Sequence, residues 1–240
     1  MTFPGWRGLL LAVPVLLLLA AAWFLRSEPH LRAYLCPSCA GFQQVAPRIY
    51  ADGQATEAQI AAALQAFDAA EALVLDFYPD RASDPVWLLC LSGRCGRRDG
   101  PRPRAIAYLD LFIFVYPEGA TTTILAHELA HTELRQRAGS RRRLVSQAVP
   151  AWFDEGLAVY LSQDTRYLDL QDGVVTGCKA GDWPEPPAAQ RAFNRQAANQ
   201  AEALYTASAW RVIDWLEAHG GAEAVLALLE DIRAGGAFSD

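Results

Sequence analysis

Apolar and polar positions alternate loosely from Phe42 to Ala51, which predicts a first strand closed by Asp52-Gly53. From Thr56 the period lengthens. Ile60, Leu64, Phe67, Leu73 and Leu75 fall broadly on one face and predict a long helix to about Phe77, broken by Asp80 to Asp84. Val86 to Leu91 is a short apolar run with the character of a buried strand. Ala105 to Tyr116 is rich in β-branched and aromatic residues, with Asp110 at a bend between two strands. Thr121 then stands where a cap would open a helix running to Arg137, and Pro150 where a second would begin, Ala151 to Leu161. Asp164 to Pro187, with three glycines and three prolines, reads as irregular. Two helical patterns close the chain, Ala188 to Ala218, as one helix or broken into two, and Ala222 to Arg233. Strands come first and helices afterwards, the order of an α+β domain.

The first 26 residues stand apart. Arg7 precedes eighteen apolar or small residues, Gly8 to Leu25, which Arg26 closes, just long enough to span a membrane. This predicts an N-terminal transmembrane helix left uncleaved as an anchor, with signal cleavage after Ala20-Ala21-Ala22 and secretion as the alternative. The domain plan is an anchor or signal segment over 1–26, a neck over 27–41 and one folded domain over 42–240. The formal charge is −6, and two units more negative without Arg7 and Arg26, so nucleic acid is not an expected partner. The five cysteines are Cys36, Cys39, Cys90, Cys95 and Cys178. Cys90 and Cys95 flank a turn-like Leu-Ser-Gly-Arg, which favours a local bridge and an oxidising, exported location. Cys36-Pro-Ser-Cys39 has no second Cys-x-x-Cys to complete a zinc ribbon, and a bridge to Cys178 or a local one is expected of it.

The chemistry concentrates in His127-Glu128-Leu129-Ala130-His131, an H-E-x-x-H sequence on a predicted helix. Residues four apart on a helix lie one above the other, so both imidazoles can face one metal ion, while Glu128 sits about 100° round the axis, within reach of a metal-bound water. Only four histidines occur in the chain, which puts a chance match on the order of one in 300. Zinc at such a site needs a third protein ligand and an open position. Pro150-Ala151-Trp152-Phe153-Asp154-Glu155-Gly156 supplies a carboxylate early in the following helix, and Gly156 would let another backbone approach closely. The expected metal ligands are therefore His127, His131 and Glu155, with Glu128 as general base.

H-E-L-A-H followed by P-x-W-F-x-E-G-L-A-x-Y resembles the gluzincin branch of zinc metallopeptidases, in particular the small thermolysin-like "peptidase MA-like" domains. The likeness spans roughly Gln43 to Asp240. It implies a zincin-like fold, with a small, mostly antiparallel sheet packed on the active-site helix and a helical C-terminal part. It implies hydrolysis of peptide bonds by water activated on Zn2+, with Tyr205 as an oxyanion donor, His219 as a poorer candidate, and substrate lying along an edge strand within Ala105 to Asp110. One departure stands out: thermolysin-like enzymes carry an acid four residues beyond the glutamate ligand that orients a zinc histidine, and Val159 occupies that place, leaving Asp154 and Asp164 as stand-ins. The resulting expectation is a membrane-anchored peptidase on the periplasmic or extracellular side, taking peptide or protein substrates. A zinc hydrolase of a non-protein amide, or a catalytically silent zinc-binding envelope module, is the alternative.

Overall fold

The computed structural model describes residues 28–95, 103–108, 110–139 and 148–239. The predicted N-terminal transmembrane helix lies outside these residues. Among the described residues no helix is long and apolar enough to cross a membrane.

Helix α1 (Pro29–Leu35) leads into strands β1 (Phe42–Ala46) and β2 (Ile49–Asp52). The single strand expected over Phe42 to Ala51 is thus a hairpin. The chain reverses at Pro47-Arg48, where Arg48 adopts a positive φ of 59°. Helix α2 (Glu57–Phe77) opens on a capping box: the Thr56 side chain accepts from Gln59 N–H while the Gln59 side chain accepts from Thr56 N–H. Its Ala63, Phe67, Ala70 and Val74 are buried, at helical spacing, against the sheet, with the Phe67 ring edge-on to Trp87 at 5.1 Å. Strands β3 (Val86–Leu89), β4 (Ala105–Tyr108) and β5 (Phe112–Val115) complete a five-stranded sheet in the order β1-β2-β3-β5-β4.

That sheet is mixed, not mostly antiparallel as expected. β2, β3 and β5 run parallel, and the antiparallel pairs are β1 with β2 and β4 with β5 at the two edges. The physical reason lies in α2: a 21-residue helix between β2 and β3 is the long crossover that parallel neighbours require. Parallel strands are covered on both faces. Trp87, Leu89, Ile113 and Val115 pack under the helices, whereas Leu88, Phe112, Phe114 and Tyr116 pack on the other side with Phe42 and Ala33. On that second side the buried His30 of α1 lies between two hydroxyls, Nδ1 at 2.8 Å from Tyr108 and Nε2 at 2.8 Å from Tyr116.

Helices α3 (Thr122–Arg137) and α4 (Ala151–Leu161) follow within a residue of their predicted limits, α3 with Thr121 accepting from Ile124 N–H as its cap. The stretch expected to be irregular holds a hairpin, β6 (Leu168–Gln171) and β7 (Val174–Cys178), turning on Asp172-Gly173 with φ of 50° and 78°. Helix α5 (Gln190–His219) bends at Gln200, where φ is −138° and ψ 38°, and α6 (Ala222–Ala234) ends the fold. Cys36 bridges Cys39 and Cys90 bridges Cys95, so both bonds are local, and Cys178 is a free thiol.

Candidate metal centre

Two contacts fix where α3 and α4 stand. The first is Glu133, fully buried on α3, which accepts from Ala82 N–H at 2.9 Å, Ser83 N–H at 2.8 Å and the Ser83 hydroxyl at 2.6 Å, and pairs with Arg137 at 3.3 Å. A carboxylate so placed is satisfied on both oxygens, and it ties α3 to the loop that ends α2. The second is Gly156. A Cβ there would stand 2.2 Å from the Ser208 carbonyl oxygen of α5, so α4 and α5 meet backbone to backbone at this point. The close approach anticipated for Gly156 is realised, and its partner is α5.

These constraints bring the motif residues together. His127 and His131 project one turn apart from α3, their Nε2 atoms 3.1 Å from one another. Glu155 Oε2 on α4 lies 3.6 Å from His127 Nε2 and 3.4 Å from His131 Nε2. Three donor atoms thus form a small triangle. A tetrahedral ion with bonds of roughly 2.0–2.1 Å separates its ligand atoms by about 3.3–3.4 Å, which the three observed edges bracket. The donor set, two imidazole nitrogens and one carboxylate oxygen, suits zinc. Among the described residues one other group has this character, Asp52, Cys90 and Cys95, and there the sulfurs are consumed in a disulfide.

The residues behind the three candidate ligands differ from one another. Asp154 Oδ1 accepts from His131 Nδ1 at 2.5 Å, and its other oxygen accepts from Arg135 at 3.2 Å, so Asp154 takes the orienting role and Asp164 does not. Asp164 instead faces Arg166, with Nε at 2.9 Å, and accepts its N–H at 3.0 Å. Burial disfavours charge on His131, but the carboxylates of Asp154 and Glu155 overcome it and raise the imidazole to about 10. For Glu155 burial again opposes charge, and His131 and His127 outweigh it to hold the carboxyl well below its usual range. His127 Nδ1, by contrast, is buried with no hydrogen-bond partner. Val159 lies fully buried in an apolar cluster with Tyr167, Leu168 and Ala209.

Tyr205 on α5 comes to the site. Its ring centroid is 6.2 Å from that of His127; the ring stacks on Tyr167 at 5.4 Å and meets the edge of Phe193 at 5.6 Å. Burial, then the charges of Glu155 and Glu128, drive the phenol well above its ordinary value, so the hydroxyl stays protonated. Glu128 is half-buried beside this group. His219 is elsewhere: it lies exposed at the end of α5, stacked on Trp215 at 4.3 Å with Nδ1 2.8 Å from that residue's carbonyl oxygen. Strand β4 is an edge of the sheet and runs beside α3.

Sequence reasoning missed Arg135 and Tyr167. Arg135 was open to discovery, since it sits four residues after His131 on the same helical face; Tyr167 depends on the hairpin that was not foreseen. No protein-family model, curated protein or solved structure matches the chain.

Proposed function

We propose that this chain is a zinc-dependent metallopeptidase of gluzincin type, in which His127, His131 and Glu155 hold the metal and Glu128 is the general base. The observation that carries the reading is the triangle of donor atoms, 3.1, 3.4 and 3.6 Å on its edges, assembled from two helices that a buried glutamate and a glycine contact hold in place. Zinc held there would polarise a scissile carbonyl and lower the pKa of a water.

The side chains then divide the work. Glu128, one residue on from a ligand and half-buried, accepts the proton of the attacking water and delivers it to the leaving amine. Asp154 keeps the His131 ring in one orientation and would direct Nε2 at the metal, while Arg135 holds the other oxygen of Asp154. Tyr205, protonated at neutral pH, donates to the oxygen that gains charge as the carbonyl is attacked. Stacking on Tyr167 limits the positions its ring can take. Two disulfides support a catalytic domain on the non-cytoplasmic side, behind an N-terminal anchor.

The test is metal analysis of the purified protein together with turnover of a casein-type substrate by wild type and Glu128→Gln. Bound zinc near one equivalent is expected in both proteins. Loss of a general base costs on the order of 100-fold or more in rate. A zinc-free wild type, or turnover unchanged in Glu128→Gln, refutes the proposal.

A further inference from the structure

The two carboxylate oxygens of Glu155 face different partners. Oε2 is the atom turned to both histidines, at 3.4 and 3.6 Å. Oε1 accepts instead from the side-chain amide of Gln190, at 3.3 Å, and that same nitrogen donates to Asn194 Oδ1 at 3.0 Å, one turn further along α5. An amide nitrogen carries two hydrogens, so both bonds form at once. Gln190 is 35 residues from Glu155 in sequence, yet its place is well defined. The Ala188 carbonyl accepts the first N–H of α4, Ala151, at 2.8 Å, and Phe193 is fully buried against Ala151 and Leu204. The start of α5 is thereby fastened to the start of α4, the helix that carries Glu155.

We propose that Gln190 is a positioning residue for the metal ligand Glu155, holding Oε1 so that the carboxylate binds through Oε2 alone and a coordination position stays open for water and substrate. The inference rests on the metal-site reading above. A carboxylate ligand with neither oxygen restrained can swing to chelate through both, which fills the position that a hydrolytic site must leave free. Hydrogen bonds behind a metal ligand typically alter affinity 10- to 100-fold.

The test uses the full chain stripped of metal and titrated with Co2+, for wild type, Gln190→Met, which keeps length and removes the donor, and Gln190→Asn, which keeps an amide one methylene too short. Each variant should bind Co2+ roughly tenfold more weakly than wild type. The visible d–d band should weaken in both, as a four-coordinate cobalt site becomes five-coordinate, and the unfolding temperature of the metal-free proteins should stay at the wild-type value. A purely structural role would lower that temperature and leave the spectrum of the bound fraction unchanged, which overturns the inference. Equal affinity and identical spectra in wild type and both variants overturn it as well. Absence of cobalt binding by wild type defeats the metal-site reading itself, a distinguishable outcome.

Discussion

Replacing Gly156 with alanine sets two effects of known size against each other. Gly156 is an interior residue of α4, and alanine there adds about 1 kcal/mol through helix propensity. Against this, the new Cβ would lie 2.2 Å from the Ser208 carbonyl oxygen, 2.6 Å from its carbon and 2.8 Å from Val212 Cγ2, where side-chain carbons essentially never come within 3.0 Å. Two of those three atoms are backbone, so no rotamer change relieves the contact and α5 must move by about 0.8 Å, the difference between 2.2 and 3.0 Å. Overpacking of this kind costs about 1–3 kcal/mol, and a clash with backbone belongs at or above the upper end. The net loss should be about 2 kcal/mol, or ~4–8 °C in Tm for a domain of this size. Function should suffer separately. Ser208 lies three residues after Tyr205 on α5, so the displacement carries the phenol with it, whereas the three proposed metal ligands sit on α3 and α4. Misplacement near 1 Å costs on the order of 100-fold in rate. Thermal unfolding, metal affinity and turnover measured together should show reduced stability, near-normal metal affinity and a lowered kcat. An alanine variant with unchanged or raised Tm would refute the packing argument, and full activity in a destabilised variant would remove Tyr205 from the mechanism.

Asp154→Ala should weaken metal binding roughly 10- to 100-fold in a chelator competition assay, because His131 loses the group that orients it. In chelator-treated protein the same substitution should destabilise with a defined pH dependence. Folding raises His131 from about 6.5 to about 10 and lowers Asp154, so their mutual stabilisation is complete between roughly pH 4 and 6.5 and fades as pH rises towards 10. Urea midpoints of wild type and variant that differ most at pH 10 would contradict this. Cys178 should react slowly with iodoacetamide at pH 8. Burial, then the Asp169 charge, pushes its thiol up to about 11, so its thiolate fraction is about 100-fold below that of a thiol at the ordinary value of 9.0. Mass spectrometry of the denatured protein, alkylated beforehand, measures it, and rapid labelling at pH 8 would count against the half-buried placement.

Where a signal was local, it was readable. Thr121 and Pro150 mark the starts of α3 and α4 because caps depend only on neighbouring residues, and the spacing of His127 and His131 follows from helix geometry alone. The hairpin of β6 and β7 escaped notice among glycines and prolines, although Asp172-Gly173 between Leu168, Leu170 and Val174, Val175 is the dipeptide a two-residue turn prefers. Parallel pairing of β2 with β3 was legible too, had the helix between them been weighed as a crossover. Asp154 was named among stand-ins for the missing acid at Val159, yet choosing it over Asp164 needed the crossing of α3 with α4, a matter of tertiary packing. The Glu155–Gln190 contact depends likewise on where α5 begins in space.

If His127, His131 and Glu155 hold a metal as proposed, the unequal backing of the two histidines would separate how firmly it is held from how quickly it leaves. His131 is clamped through Asp154 and Arg135, while His127 Nδ1 is buried without a partner, at a standing cost of about 1–3 kcal/mol. Rotating the His127 ring breaks no hydrogen bond behind it, so dissociation of the ion would begin on that side, with His131 and Glu155 still attached. With a metal held as proposed, its residence time would depend on the packing around His127, Tyr205 included, and its equilibrium affinity on the Asp154 clamp. A metal site built this way would bind its ion tightly and still exchange it.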